Sequence, residues 1–403
     1  MLKTTLLWLT LSLVAGCASQ APQGGGFSTA RLAQLEQTVA ADIERGRIPG
    51  VVMMVQRDGR LAFSKTLGKQ DPASGTPMRE DSIFRAYSMT KPIVSVGAMM
   101  LVEEGRLMLS DPVSKHIPEL KGLTVGIEKD GKLEIVAAQR EPTVQDLLRH
   151  TSGFTYGIFG KGMVKDLYTL NGIDGRDHTN AELVKKLATV PLMFQPGTTW
   201  EYGRSTDVLG HLIERVSGQT LDDYLQARII GPLGMKDTAF FVEPAKQGRI
   251  AEAFAKDPDS GAQQSLLRVR EKPKYLSGGG GMVTTAADYL RFAQMLLNGG
   301  ELQGVRILSR KTVEYMSADH LGAIRGPGPG YGFGLGFRVR HASGLSSTNG
   351  SGGSYDWGGL GGTSFWIDPK ERLIAVWMMQ APNQRGYYGQ LYRNMVYGAL
   401  TGE

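Results

Sequence analysis

Residues 84–102 read FRAYSMTKPIVSVGAMMLV, and how this stretch is understood decides the rest of the chain. Residues 93–102 are apolar almost all the way round a helical wheel, the pattern of a helix enclosed in a core rather than resting on a surface. At its start Ser88 and Lys91 stand one helical turn apart, a spacing that puts hydroxyl and amine on one face and within reach of each other. A lysine at the mouth of a buried helix is costly when charged. Desolvation and the positive end of the helix dipole are both expected to lower its pKa, leaving a neutral amine as general base beside a nucleophilic hydroxyl. Ser-x-x-Lys alone is a weak signal, since Ser88 can cap a helix while Lys91 reaches solvent; the buried helix behind the pair gives it weight.

Toward the N-terminus, Leu32, Leu35, Val39 and Ile43 recur at helical spacing and predict a helix over residues 28–46, ending near Gly46. Residues 51–56 and 61–66 flank the turn Arg57-Asp58-Gly59-Arg60, the pattern of a β-hairpin. Toward the C-terminus, strand-like runs at 363–367 and 373–379 are joined across Asp368-Pro369-Lys370-Glu371, and a last helix is expected from about Gly389. Between these ends, residues 143–148, 207–216 and 286–297 are short helical patterns separated by Gly- and Pro-rich loops, with a small hairpin around Asp130-Gly131. Strands at both ends and helices between them predict an α/β (α+β) fold. One antiparallel sheet is built from N- and C-terminal segments and flanked by helices, with a mostly helical subdomain inserted over roughly 110–330. No internal period marks a repeat architecture.

Taken in order, residues 84–92, then Asp146-Leu147-Leu148 with His150-Thr151-Ser152-Gly153, then Asp207-Val208-Leu209-Gly210 and Gly231-Pro232-Leu233-Gly234-Met235 resemble the serine hydrolases related to class C β-lactamases and DD-peptidases. The resemblance runs from about residue 30 to the end. It implies Ser88 as nucleophile, Lys91 as its activating partner, and a tyrosine facing the pair from the helical subdomain, here Tyr202 of Glu201-Tyr202-Gly203-Arg204. A phenolate there would share the proton of Ser88 and return it to the leaving group. β-Lactamases of this class carry Asn two residues after the tyrosine; Arg204 in that place counts against recognition of a β-lactam side chain.

The third element of that family, usually Lys or His, then Thr or Ser, then Gly, precedes a strand lining the site. The matching residues are Trp357-Gly358-Gly359, followed by Leu360-Gly361-Gly362-Thr363 and Phe365-Trp366-Ile367-Asp368-Pro369. Trp-Gly-Gly resembles the family VIII carboxylesterases, which share the β-lactamase fold and cleave esters. The cation lost at Trp357 would have gripped the carboxylate of a β-lactam or of a peptide C-terminus. The resemblance further implies that Trp357, Gly358 and Gly359 meet the substrate and that the backbone amides of Ser88 and Leu360 form the oxyanion hole, the glycines allowing close approach. The expectation is a carboxylesterase-type enzyme acting on a small-molecule ester through an acyl-enzyme. A β-lactamase or a DD-peptidase or other peptidoglycan amidase would use the same serine and lysine. A penicillin-binding or cell-envelope sensor would acylate without turnover.

The composition suits such a body: 403 residues, 41% hydrophobic and 21% charged, are enough to bury a large core and unlike a disordered chain. At the N-terminus, Lys3 and an apolar run over residues 6–14 read as an export signal too short to span a bilayer comfortably. Val14-Ala15-Gly16-Cys17 resembles a bacterial lipobox, in which cleavage before the cysteine leaves a thiol that carries the lipid. The expected division is a signal peptide over 1–16, a flexible tether over 17–27 and the hydrolase domain over 28–403. With Ala18 rather than Asp after the cysteine, the resemblance to Gram-negative lipoproteins implies outer-membrane retention facing the periplasm, the lipid being the expected membrane contact.

Cys17 is the only cysteine, which excludes an internal disulfide and a Cys-based zinc site. Cleavage removes Lys3, taking the formal charge from +6 to +6 − 1 = +5, and no basic cluster defines a nucleic-acid stripe. The histidines at 116, 150, 178, 211, 320 and 341 contain no i,i+4 pair, so neither a metal nor another cofactor is expected. His150 reads as a structural histidine in the turn before Gly153 more readily than as half of a Ser–His pair, and Gly-x-Ser-x-Gly occurs nowhere. Gly278 to Gly281 lacks the Lys-Ser/Thr ending of a phosphate loop and reads as a close-packed loop near the cleft.

Overall fold

The computed structural model describes residues 25–401. The signal peptide expected over 1–16, Cys17 and the tether as far as residue 24 lie outside the described residues. Phe27, the last residue expected in the tether, is buried and bridges to Leu400, so the folded body already includes it.

Eight strands make one antiparallel sheet: β1 (Gly50–Arg57), β2 (Arg60–Asp71), β3 (Thr76–Pro77), β4 (Tyr331–Phe333), β5 (Arg338–Arg340), β6 (Tyr355–Gly358), β7 (Ser364–Asp368) and β8 (Leu373–Met379). Their order across the sheet is β4-β5-β6-β7-β8-β1-β2-β3. The N-terminal hairpin thus sits beside the last strand, with Val51 opposite Met379 and Arg57 opposite Leu373, and both ends of the chain build one sheet as expected. Alternation along β1 separates two layers. Val51, Met53 and Val55 face Leu35, Val39, Tyr388 and Tyr392 of the terminal helices. Val52 and Met54 face the opposite layer, with Phe84, Met89 and Val376.

The first helix, Thr29–Glu44, is capped by Ser28, whose hydroxyl accepts from the Arg31 amide. The last, Arg385–Ala399, begins before Gly389 because Tyr388, Tyr392 and Val396 anchor one face, overriding the low helical propensity of Gly386 and Gly389.

On the other face lies the helix Thr90–Glu103, in which every residue from Thr90 to Leu101 is buried. Each large apolar side chain so enclosed contributes about 1.5–3 kcal/mol. Helices Val144–Leu148, Met163–Leu170, Asn180–Leu187 and Ser205–Ser217 and the hairpin Thr124–Lys129/Lys132–Ala137 belong to the inserted region. Ala286–Leu297, though numbered within that region, packs on β8 and β1, with the Tyr289 ring 4.8 Å from that of Phe365. Among the described residues no helix is long and apolar enough to cross a membrane.

Trp357 and Gly358 end β6 rather than preceding a strand, and the turn after them leads into β7. β5 pairs with β6 only at Arg338 and Val339, opposite Asp356 and Tyr355. Trp357 and Gly358 therefore have a strand on one side and an open edge on the other.

Candidate active site

Ser88 lies in a single 3-10 turn, Tyr87–Met89, that runs directly into Thr90–Glu103. Tyr87 is held at φ 46°, a left-handed conformation that costs a non-glycine residue about 1–3 kcal/mol. The Tyr87 hydroxyl, which accepts the Leu267 amide at 2.9 Å, helps to fix it.

Lys91 is 1% exposed. Its Nζ donates to Gly279 O at 2.6 Å, to the Tyr156 hydroxyl at 3.1 Å and to Ser88 Oγ at 3.4 Å, so each ammonium hydrogen has an acceptor. This environment reverses the lowered pKa expected from the sequence. Burial does push the ammonium down, but Tyr156, Tyr202 and the Asp207 carboxylate outweigh it and hold Lys91 above the ordinary lysine range. Asp207, in the first turn of Ser205–Ser217, accepts the Ser277 hydroxyl at 2.6 Å and the Gly279 amide at 2.9 Å. Burial opposes its ionisation, yet the charges of Arg204 and Lys91 prevail and keep its pKa below the usual carboxylate value. The Gly279 loop thus links the two charges, its amide on Asp207 and its carbonyl on Lys91.

The Tyr202 hydroxyl donates to Ser88 Oγ at 2.6 Å, and Lys91 Nζ stands 4.5 Å from the centre of its ring. His150, Trp357 and Tyr156 surround that ring at 5.0, 5.3 and 5.5 Å between centroids, an apolar enclosure that strengthens the charge interactions inside it. His150 makes no pair with Ser88. Its ring packs on Tyr202, and burial together with the Lys91 charge holds its pKa well below the imidazole value, so it stays neutral.

Arg204 lies behind the site. It donates to Asp174 at 2.8 Å, approaches Tyr275 and Asp207 at 3.3 and 3.4 Å, and covers the Tyr156 ring at 4.7 Å.

Ser88, Tyr202, Trp357, Gly358, Gly359 and Leu360 line one cleft of about 560 Å³, a size that accommodates small organic ligands. A Cβ at Gly359 would stand 2.4 Å from Ala86 O and 2.3 Å from Thr363 Oγ1, so only glycine brings this turn against the backbone beside Ser88. Every sequence-predicted site residue among the described ones gathers at this cleft, and Cys17 lies outside them. Sequence reasoning missed the groups around Lys91. Gly278 to Gly281 was legible as a packed loop, but the Gly279 carbonyl is backbone and leaves no residue signature, and nothing in Gly153-Phe154-Thr155-Tyr156 marks Tyr156 as a partner. Among the described residues no three His, Cys, Asp or Glu side chains gather to hold a metal ion.

Esterase EstB of Burkholderia gladioli is 33% identical over 372 residues, covering 87% of this chain and 91% of its own. Lovastatin esterase of Penicillium rubens is 29% identical, with 86% and 92% covered. The solved structure of EstCE1, described as a hydrolase with promiscuous acyltransferase activity, superposes with a TM-score of 0.78 at 28% identity over 92% of this chain and 99% of that one. The sequence family described as Beta-lactamase matches residues 35–397. With nearly the whole folded body inside that match, and the serine, lysine and tyrosine of the motifs converging in space, the chain belongs to the β-lactamase family.

Proposed function

We propose that this protein is a serine hydrolase of carboxylic esters, working through an acyl-enzyme on Ser88. The observation that carries the reading is the Tyr202 oxygen 2.6 Å from Ser88 Oγ beside a buried Lys91 ammonium, in a cleft where Trp357 stands at the position that carries a cation in the β-lactamases and DD-peptidases. The esterase relatives support the choice of substrate class.

Lys91 keeps its proton and acts by charge: the Tyr202 hydroxyl, which donates to Ser88 Oγ in the resting site, first gives its proton to solvent, and the ammonium stabilises the oxyanion left behind. Tyr202 takes the proton of Ser88 as Oγ attacks the ester carbonyl carbon, and the amides of Ser88 and Leu360 hold the oxyanion. The carbonyl re-forms, the C–O bond to the alcohol breaks, and Tyr202 returns the proton to the departing oxygen. Water then attacks the acyl-enzyme, Tyr202 taking its proton and passing it to Ser88 as the acid leaves. The same residues would serve a β-lactamase or DD-peptidase; Trp357 and an Arg204 turned away from the cleft weigh against both.

The test compares steady-state hydrolysis of a short p-nitrophenyl ester by the protein from residue 18 onward with that of its Ser88→Ala variant, and maps a phosphonate adduct to the peptide holding Ser88. Sustained turnover abolished by the substitution is expected. An inactive parent, or an adduct elsewhere, would overturn the reading.

Export and lipid attachment at Cys17, with an outer-membrane location facing the periplasm, belong to the same proposal and are supported by Val14-Ala15-Gly16-Cys17. Cell fractionation of the full chain and its Cys17→Ala variant tests this: the parent is expected in the membrane fraction and the variant out of it.

A further inference from the structure

The cleft that holds Ser88 continues past Trp357 to a wall formed by Tyr331, Arg338, Asp356, Arg385 and Arg393. Charge in this wall is unbalanced. Arg338 and Arg393 each place a guanidinium nitrogen 2.8 Å from one oxygen of Asp356, so a single buried carboxylate serves two cations. Behind them the buried Arg340 donates to neutral oxygens, the Tyr331 hydroxyl at 3.1 Å, Ser346 Oγ at 2.7 Å and Thr348 O at 2.6 Å. Arg385 donates to Pro382 O at 2.6 Å. Asp368 lies one layer back, engaged by the Tyr397 hydroxyl at 2.6 Å and the Ser351 amide at 3.1 Å. Four arginines against two carboxylates leave an excess of 4 − 2 = 2 positive charges.

A second observation is independent of that count. Arg393 is 5% exposed, and its Nη1 is buried without a hydrogen-bond partner. An unpaired buried guanidinium nitrogen is costly and is ordinarily satisfied by an acceptor. The planar fork of a guanidinium fits a carboxylate in particular. Asp356, the residue the two arginines share, precedes Gly358 by two positions on β6, a separation of about 7 Å along a strand. The cation missing at Trp357 is therefore replaced farther along the same cleft, away from the reacting carbonyl.

We infer that this wall is a subsite for a carboxylate on a limb of the ester remote from the scissile carbonyl, so that the preferred substrates are esters bearing a free acid. The inference rests on the ester-hydrolase reading above.

Two matched pairs test it, with the acid on either limb: mono(4-nitrophenyl) adipate against 4-nitrophenyl hexanoate, and 4-acetoxybenzoate against phenyl acetate. In one of the pairs kcat/KM is expected to favour the acid by about tenfold or more, as a charge-assisted hydrogen bond allows. That ratio should fall toward one in Arg338→Gln, recover in part in Arg338→Lys, and shrink in high salt. The Arg338 side chain is 34% exposed, and thermal unfolding of each variant checks that it folds. Hydrolysis of the neutral esters with no acid preference in either pair overturns the subsite and leaves the esterase. A preference that survives Arg338→Gln and salt overturns its assignment to this wall. Hydrolysis of none of the four overturns both readings.

Discussion

Replacing Tyr202 by Phe separates the two ways a Ser-Lys-Tyr group can work. If Lys91 were a neutral amine it could take the Ser88 proton itself, and the phenol would be dispensable. The structure holds Lys91 charged, with Gly279 O at 2.6 Å and Tyr156 at 3.1 Å occupying its hydrogens, which leaves the Tyr202 oxygen as the proton carrier. Phe keeps the ring that packs at 5.0 Å from His150 and 5.3 Å from Trp357, and it deletes only the oxygen 2.6 Å from Ser88 Oγ. The stability cost is one hydrogen bond, about 1 kcal/mol. Removing a positioned general acid–base costs about 10²–10⁴ in rate, or roughly 3–5 kcal/mol of barrier. Tyr202→Phe is therefore expected to lower kcat on a p-nitrophenyl ester by that factor with KM changed only a few-fold. Steady-state kinetics gives kcat and KM, and thermal unfolding alongside checks the fold. A folded Tyr202→Phe enzyme within about tenfold of the parent would refute the argument and return the base role to Lys91.

Gly359→Ala places a Cβ 2.4 Å from Ala86 O, forcing apart the turns that carry Leu360 and Ser88; kcat is expected to fall about 100-fold in steady-state assays while the variant stays folded. Asp146 is fully buried, and although burial raises its pKa, Arg140, Thr143 and Thr151 bring it down to about 2. The folded value lies below the unfolded one, so its stabilisation is present above pH ~4 and is lost as pH falls toward 2, an effect on the order of 2 kcal/mol. Asp146→Asn should be less stable by about that amount at pH 7 in urea titrations and lose less on acidification.

The sheet was legible where the sequence alternates or runs apolar for long enough. β1 and β8 are such strands, and their burial on both faces follows from residues 51–55 and 373–379. β4, β5 and β6 are three or four residues each, set among glycines, and exist because neighbouring strands supply their partners. At the site, Ser88 and Lys91 could be found because they stand one helical turn apart, and Tyr202 and Trp357 through the resemblance to the family's ordered motifs. The protonation of Lys91 could not. It depends on Tyr156, Tyr202, Asp207 and Gly279, brought together from separate stretches of chain, and at the sequence level only the local terms, burial and the helix dipole, are visible.

The exchange of Asn for Arg at position 204 finds its explanation in the same charge arithmetic. Lys91 and Arg204 contribute two buried positive charges, and Asp174 and Asp207 contribute two negative ones, so the group is neutral with Tyr202 protonated. Arg204 thus comes as a pair with Asp174, the carboxylate 2.8 Å from its Nη2. Arg204→Met alone strands the partly buried Asp174 carboxylate and takes one cation from the buried Asp207, and breaking a buried pair from one side costs about 3–5 kcal/mol. It also leaves the cluster one charge more negative, which weakens the stabilisation of negative charge on the Tyr202 oxygen and should lower kcat. Asp174→Asn added to Arg204→Met restores neutrality. The double variant is expected to recover about 1–3 kcal/mol relative to the sum of the singles, and to return kcat toward that of the parent. Urea titrations and steady-state kcat on the four proteins measure both. Strict additivity in stability together with an unchanged kcat in Arg204→Met would show that Arg204 only fills space behind Tyr156.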